Sequence, residues 1–189
     1  MMTKRSKTPW ATVAPERVTG ALHGKLNVAL SKLHGLRKAE QPQFTPNLDP
    51  WALVAEFLSS ARGVYPTAKT YCDGLQPPAP GRFTRWRDTW EGQLSRADLD
   101  LWRRMEDERH RHEHGDGAAL ITVDIPVPME FTHPNPIVLG LSAAEANPPS
   151  YKNGVRFKGY PERPASEVCE QYLALCRRFV EDLLRSFPP

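Results

Sequence analysis

Between Ser166 and Phe187 the apolar residues Val168, Tyr172, Leu175, Cys176, Phe179, Val180, Leu183 and Leu184 recur at steps of three and four. This is the most regular amphipathic stripe in the chain, and it predicts a helix with one fully apolar face, opened by Ser166 as N-cap and ended by Pro188. Such a face has to be covered, because a lone helix gains too little in water to persist. The matching stripe stands at the other end of the sequence, where Val18, Leu22, Leu26, Ala29, Leu30, Leu33 and Leu36 repeat with the same period. Gly20 and Gly24 weaken that first helix by roughly 1 kcal/mol each, unless they admit another helix at close range.

The middle of the chain supplies further helices. Asp49-Pro50 has the form of an N-cap followed by proline at the first helical position, with Trp51, Val54, Phe57, Leu58 and Ala61 as its buried face. Pro66 is expected to kink or interrupt this helix, and Gln41 to Leu48 and Cys72 to Gly81 read as loops. Phe83, Trp86 and Trp90 share one helical face, and Ser95 to Asp98 has capping-box spacing before a helix whose core stripe is Leu99, Trp102 and Met105. Beyond Gly117 the period shortens. Ala119 to Ile125, Ile137 to Leu139 and, after Asn153-Gly154, Val155 to Phe157 are β-rich, while six prolines from Pro126 to Pro149 keep the pieces short. The expected fold is mainly α: a helical bundle with a short β-hairpin insert before the C-terminal helix. Its domain would run over 16–189, with the β-rich insert at about 118–160, after a flexible basic arm over 1–15 that carries Lys4, Arg5 and Lys7.

Composition narrows the function classes. A net charge of +3 over 189 residues excludes a polycationic coat, so nucleic-acid binding would have to come from a local patch. Cys72, Cys169 and Cys176 show no metal-ligand spacing, and an odd cysteine count without an apolar leader points to a reducing, cytoplasmic setting. No run reaches the ~18 apolar residues of a membrane span, so no membrane partner is expected.

The chemistry concentrates in Met105 to Gly117, where Arg109, His110, Arg111, His112 and His114 fall within six positions. Guanidinium groups fork onto phosphate, and imidazole exchanges a proton near neutral pH. Arg109, a polar His110 and His114 form an Arg-x4-His motif at the end of a helix, followed by Gly115. With the upstream segment Phe57 to Arg62 and a final helix after an extended insert, the chain resembles the HEPN family over roughly Glu16 to Phe187. That resemblance implies a helical bundle that forms a homodimer around a composite cleft. In active members the motif is a metal-independent endoribonuclease, with no cofactor, acting as a toxin or defence effector that an antitoxin or other regulatory protein would restrain. Carried over, His114 would be the general base toward a ribose 2′-hydroxyl, Arg109 the phosphate clamp, and His110 an orienting group. Arg62 and Arg111 would bind substrate RNA. Other members are non-catalytic modules that bind nucleotides or proteins. At ~100° per residue Arg109 and His114 lie about 140° apart, so a single straight helix does not put them on one face.

Other readings compete. His110 and His114, with His112, Glu113, Asp107 or Asp116, have the types and spacing of metal ligands, although the order is not His-Glu-x-x-His. Glu106 to His114 equally suits a solvated face paired at i,i+4, such as Glu106 with His110. Cys72 is a candidate nucleophile without a flanking motif. Trp86 and Trp90, among Arg82, Arg85 and Arg87, suit base stacking or core packing. Lys152, Arg156 and Lys158, with Tyr151 and Tyr160, suit phosphate binding or a solvated hairpin.

Overall fold

The computed structural model describes residues 15–41, 48–75, 81–113, 119–127 and 150–188. Six helices and two strands make up these segments: α1 (Pro15–Glu40), α2 (Pro50–Arg62), α3 (Val64–Gly74), α4 (Arg82–Gly92), α5 (Arg96–Glu113), β1 (Leu120–Val127), β2 (Ser150–Phe157) and α6 (Ala165–Ser186). The fold is mainly α. The expected basic arm, apart from Pro15, and the Ile137 to Leu139 piece lie outside the described residues.

The two terminal stripes cover each other as their periodicity requires. Leu22, Ala29, Leu33 and Leu36 of α1 and Val168, Cys169, Phe179, Val180 and Leu183 of α6 are all buried. Phe179 is the centre of an aromatic cluster, its ring centroid within 5.1 to 5.4 Å of Trp90, Trp86 and Trp102, with Phe83 at 6.4 Å. Helix α2 runs antiparallel to α1: Leu53 lies over Gly35, Glu56 pairs with Lys32 at 2.5 Å, and Gly63 faces the Lys25 stem. The close approach of two helices therefore falls at Gly35. Gly20 and Gly24 face open space.

Helix α2 starts as its sequence requires, with Asp49 Oδ1 accepting from the Trp51 N–H at 2.9 Å. It ends at Arg62, four residues before Pro66. A proline ring clashes with the carbonyl at i−4, which here is Arg62, so the interruption falls upstream of the proline itself. Pro66 then sits in the first turn of α3, where a missing N–H costs nothing. Two expectations fail locally. Trp51 is 42% exposed rather than buried, because the first turn of α2 begins before the core does, and α3 continues through Cys72 to Gly74 where a loop was expected.

Strands β1 and β2 pair antiparallel from Leu120↔Phe157 to Val127↔Ser150. Asn153 and Gly154 lie inside β2 rather than in a turn before it. Gly154 is needed there because a Cβ would collide with the Ile125 side chain across the pair.

The N-terminus of α6 is capped across the fold. Pro164, not Ser166, occupies the N-cap position and makes no side-chain cap. Ser166 instead donates its N–H, at 3.3 Å, and its hydroxyl to the Glu40 carboxylate at the end of α1. Arg156 of β2 faces the same carboxylate at 3.7 Å, and Lys152 donates to the Ala39 carbonyl at 2.7 Å. One acid at a helix start and one cation at a helix end both complement the local dipoles. Burial lowers the Lys152 pKa, with Glu40 acting the other way. These two cations therefore hold α1, β2 and α6 together and do not form an open phosphate patch.

Candidate active site at the end of the fifth helix

Helix α5 is set by short-range signals at its start and by burial along its length. Ser95 Oγ accepts the Asp98 N–H at 3.1 Å, the first half of the expected capping box. Leu101, Trp102 and Met105 are buried, with Trp102 against Trp90 at 5.1 Å and Tyr172 at 5.7 Å. The expected stripe is thus present, with Leu101 buried in place of the half-buried Leu99.

The acids before the motif are not a solvated run. Tyr172 donates to Glu106 at 3.3 Å, so Glu106 faces α6. Glu108 is buried, and its Oε2 accepts the Ala119 N–H at 2.6 Å. Ala119 in turn accepts from the Lys158 N–H at 2.7 Å, continuing the ladder of the strand pair. The carboxylate of Glu108 therefore ties the last turns of α5 to the start of β1, the two elements between which His114 falls in sequence. No local pattern marks this group, because its partner is a backbone N–H eleven residues away.

Arg109 and His110 lie on the α5 backbone, which remains helical to Glu113. Their side chains, those of His112 and Glu113, and all of His114 to Ala118 lie outside the described residues. Arg111 is exposed on α5 and Arg62 is exposed at the last residue of α2, so the two expected substrate arginines stand on different helices. Arg111 lines an open cleft of about 420 Å³ with Asp100, Arg103, Arg104, Asp107 and Glu108. Arg104 lies 5.1 Å from the Tyr160 ring and Arg163 lies 5.7 Å from it, which fixes the turn after β2 against α5.

The cysteines are poorly placed to act as nucleophiles. All three are buried and unbonded. Burial pushes the Cys72 thiol up to about 12, and Asp73 adds to this. Burial likewise takes Cys176 to about 12 and Cys169 well above the ordinary thiol value. A thiol protonated at neutral pH is a poor attacking group. Trp86 and Trp90 are core residues whose indole N–H groups donate to Ser186 Oγ at 3.0 Å and Asp182 Oδ2 at 3.1 Å. Trp90 is buried and Trp86 is half-buried against Phe179, so their packing is that of the core. Among the described residues no group of three His, Cys, Asp or Glu side chains is placed to hold a metal ion, and no helix is long and apolar enough to cross a membrane. No family model, curated protein or solved structure matches the chain.

Proposed function

We propose that the protein is a metal-independent endoribonuclease of HEPN type, working through Arg109, His110 and His114. The observation that carries this reading is the Arg-x4-His motif at the end of α5, a helix anchored in the core by Trp102 and Met105 and tied to β1 by Glu108. A rigid support of this kind is what a proton-transfer site needs, since a small misplacement of the base costs rate steeply.

His114 takes the proton from a ribose 2′-hydroxyl as that oxygen attacks the adjacent phosphorus. Arg109 holds the phosphate oxygens and stabilises the added charge, and His110 orients the scissile group. The bond to the 5′-oxygen breaks, and that oxygen gains a proton. The products are a 2′,3′-cyclic phosphate and a 5′-hydroxyl. On a continuous helix Arg109 and His114 stand about 140° apart, so a second copy brought in by a two-fold axis completes the site. Arg111 and Arg62 contact the RNA backbone. The biological setting that suits such an activity is that of a toxin or defence effector in the cytoplasm, held in check by a regulatory protein.

The test is incubation of the purified chain with mixed RNA in excess chelator, followed by analysis of the product ends. Cyclic phosphate ends formed in chelator are expected. Cleavage that stops with chelator favours a metal bound by the histidine cluster, and an intact, dimeric protein that cuts nothing favours a non-catalytic binding module.

A further inference from the structure

The three successive acids before the motif are not equivalent. Asp107 is exposed, and the buried Glu108 is taken up by the Ala119 N–H. Glu106 is half-buried on the side of α5 turned to α6, where the Tyr172 hydroxyl donates to its Oε1 at 3.3 Å. The donor is itself set in the core. Tyr172 is buried, its ring lies 5.7 Å from Trp102, and Trp102 lies 5.4 Å from Phe179.

The backbone places the motif next to this carboxylate. Because α5 is helical through Glu113, Arg109 and His110 stand three and four positions after Glu106, where residues of one helix are surface neighbours with Cβ atoms roughly 5–6 Å apart. His110 is only ~40° further round the helix. On α5 itself the exposed Arg103 stands one turn before Glu106. From α6, Cys176 feels the charge of Glu106, but burial pushes this thiol up to about 12, so it is uncharged at neutral pH. Helix α2 also packs against α5, and its charged residues are Glu56, which holds Lys32, and the exposed Arg62. An exposed i,i+4 pair contributes little, because two mobile side chains have to be ordered in water. Glu106 is already held by Tyr172 and is partly shielded from solvent, so its charge acts more strongly on a neighbouring imidazole.

We infer that Glu106, held by Tyr172 of α6, is the positioning carboxylate of the motif, orienting His110 and keeping its imidazole in the charged form. This rests on the motif being the catalytic centre of a ribonuclease. A carboxylate beside an imidazole favours the imidazolium, and a cation at the scissile phosphate stabilises the charge that builds up during attack. The i,i+4 pair of Glu106 and His110, which in sequence suits a solvated face, thus has a second helix as its support. The charged form of His110 is present at neutral pH and is lost as pH rises through its raised pKa, which sets the alkaline limb of the cleavage rate.

The test is a histidine titration followed by NMR on the full chain, with the His110 signal assigned by its loss in His110→Asn. In Glu106→Gln the His110 pKa should fall by about one unit, while His23 and His34, exposed on α1, should not move. Glu106→Asp keeps the charge and should restore most of the fall. Tyr172→Phe releases the carboxylate and should lower the His110 value by less than Glu106→Gln does, and Asp107→Asn, which removes an exposed acid three positions before His110, should matter less still. In single-turnover cleavage with chelator, the alkaline limb of Glu106→Gln should lie at lower pH by the same amount, a loss of about tenfold in rate above both values, with RNA binding unchanged. If Glu106 only braces α5 against α6, the variant will melt lower while the His110 titration and the alkaline limb stay where they are, and that result would overturn the inference. So would an equal shift from Asp107→Asn, which would reduce the effect to net charge. A His110 value tied to Glu106 in a protein that cuts no RNA would sink the ribonuclease reading alone. RNA cut with an alkaline limb indifferent to Glu106 would sink this inference alone.

Discussion

Glu108 ties the last turns of α5 to the start of β1, the elements that flank the candidate site in sequence. Its carboxylate is buried and receives the Ala119 N–H at 2.6 Å, and a hydrogen bond to a charged group is worth about 1.5–3 kcal/mol. Glu108→Ala should lower unfolding stability in urea by that amount, because the N–H loses its acceptor. Glu108→Gln keeps a carbonyl in the same place and should cost less; equal losses in the two variants would show that the bond contributes nothing. The three thiols allow a second check at this scale. Folded values near 12 for Cys72 and Cys176 lie above the ordinary 9.0, so their contribution to stability is fully present below about pH 9 and is lost as pH rises toward 12. Iodoacetamide at pH 8 should label none of the three in the native protein and all three in denaturant, and the urea midpoint should fall between about pH 9 and pH 11. Rapid labelling of Cys72 in the native state would contradict its burial.

At the scale of elements, the helices with short-range signals were legible. Asp49 and Ser95 cap where their spacing requires, and the stripes of α1 and α6 are the buried faces. What stayed hidden has partners far along the chain. Glu40 reaches Ser166 and Lys152 reaches Ala39 across 126 and 113 residues, and no local pattern marks either pair. Ser166 reads as an N-cap by its residue type, but its hydroxyl is a donor here, and the acceptor for the helix start is the Glu40 carboxylate of another helix. The motif of the candidate site was found from spacing alone. The tie through Glu108 was not, since a glutamate among charged neighbours looks like solvated surface. Glycines separate the two kinds of information. Gly20→Ala and Gly24→Ala should each raise stability by about 1 kcal/mol, because the helix gains propensity and the new methyl meets nothing. Gly35→Ala should gain less, because its Cβ would come within 2.9 Å of Leu53 Cδ2 and push that side chain aside. Thermal melts of the three single variants check this order, and an equal rise at all three positions would refute the close α1–α2 approach.

Across the whole molecule, an aromatic centre around Phe179 joins α4, α5 and α6, while the Glu40 cluster joins α1, β2 and α6. Helix α6 belongs to both, so the end of α5 is carried on a support braced from two sides. The central proposal is that proton transfer takes place at the end of α5, and single-turnover cleavage of RNA in chelator by wild type, Arg109→Ala and His114→Ala tests it most directly. With unchanged melting and unchanged RNA binding by His114→Ala, each substitution should slow cleavage about a hundredfold or more, equivalent to about 2.7 kcal/mol of lost transition-state stabilisation. Cleavage at the same rate by wild type and both variants would contradict the assignment of the motif as the catalytic centre.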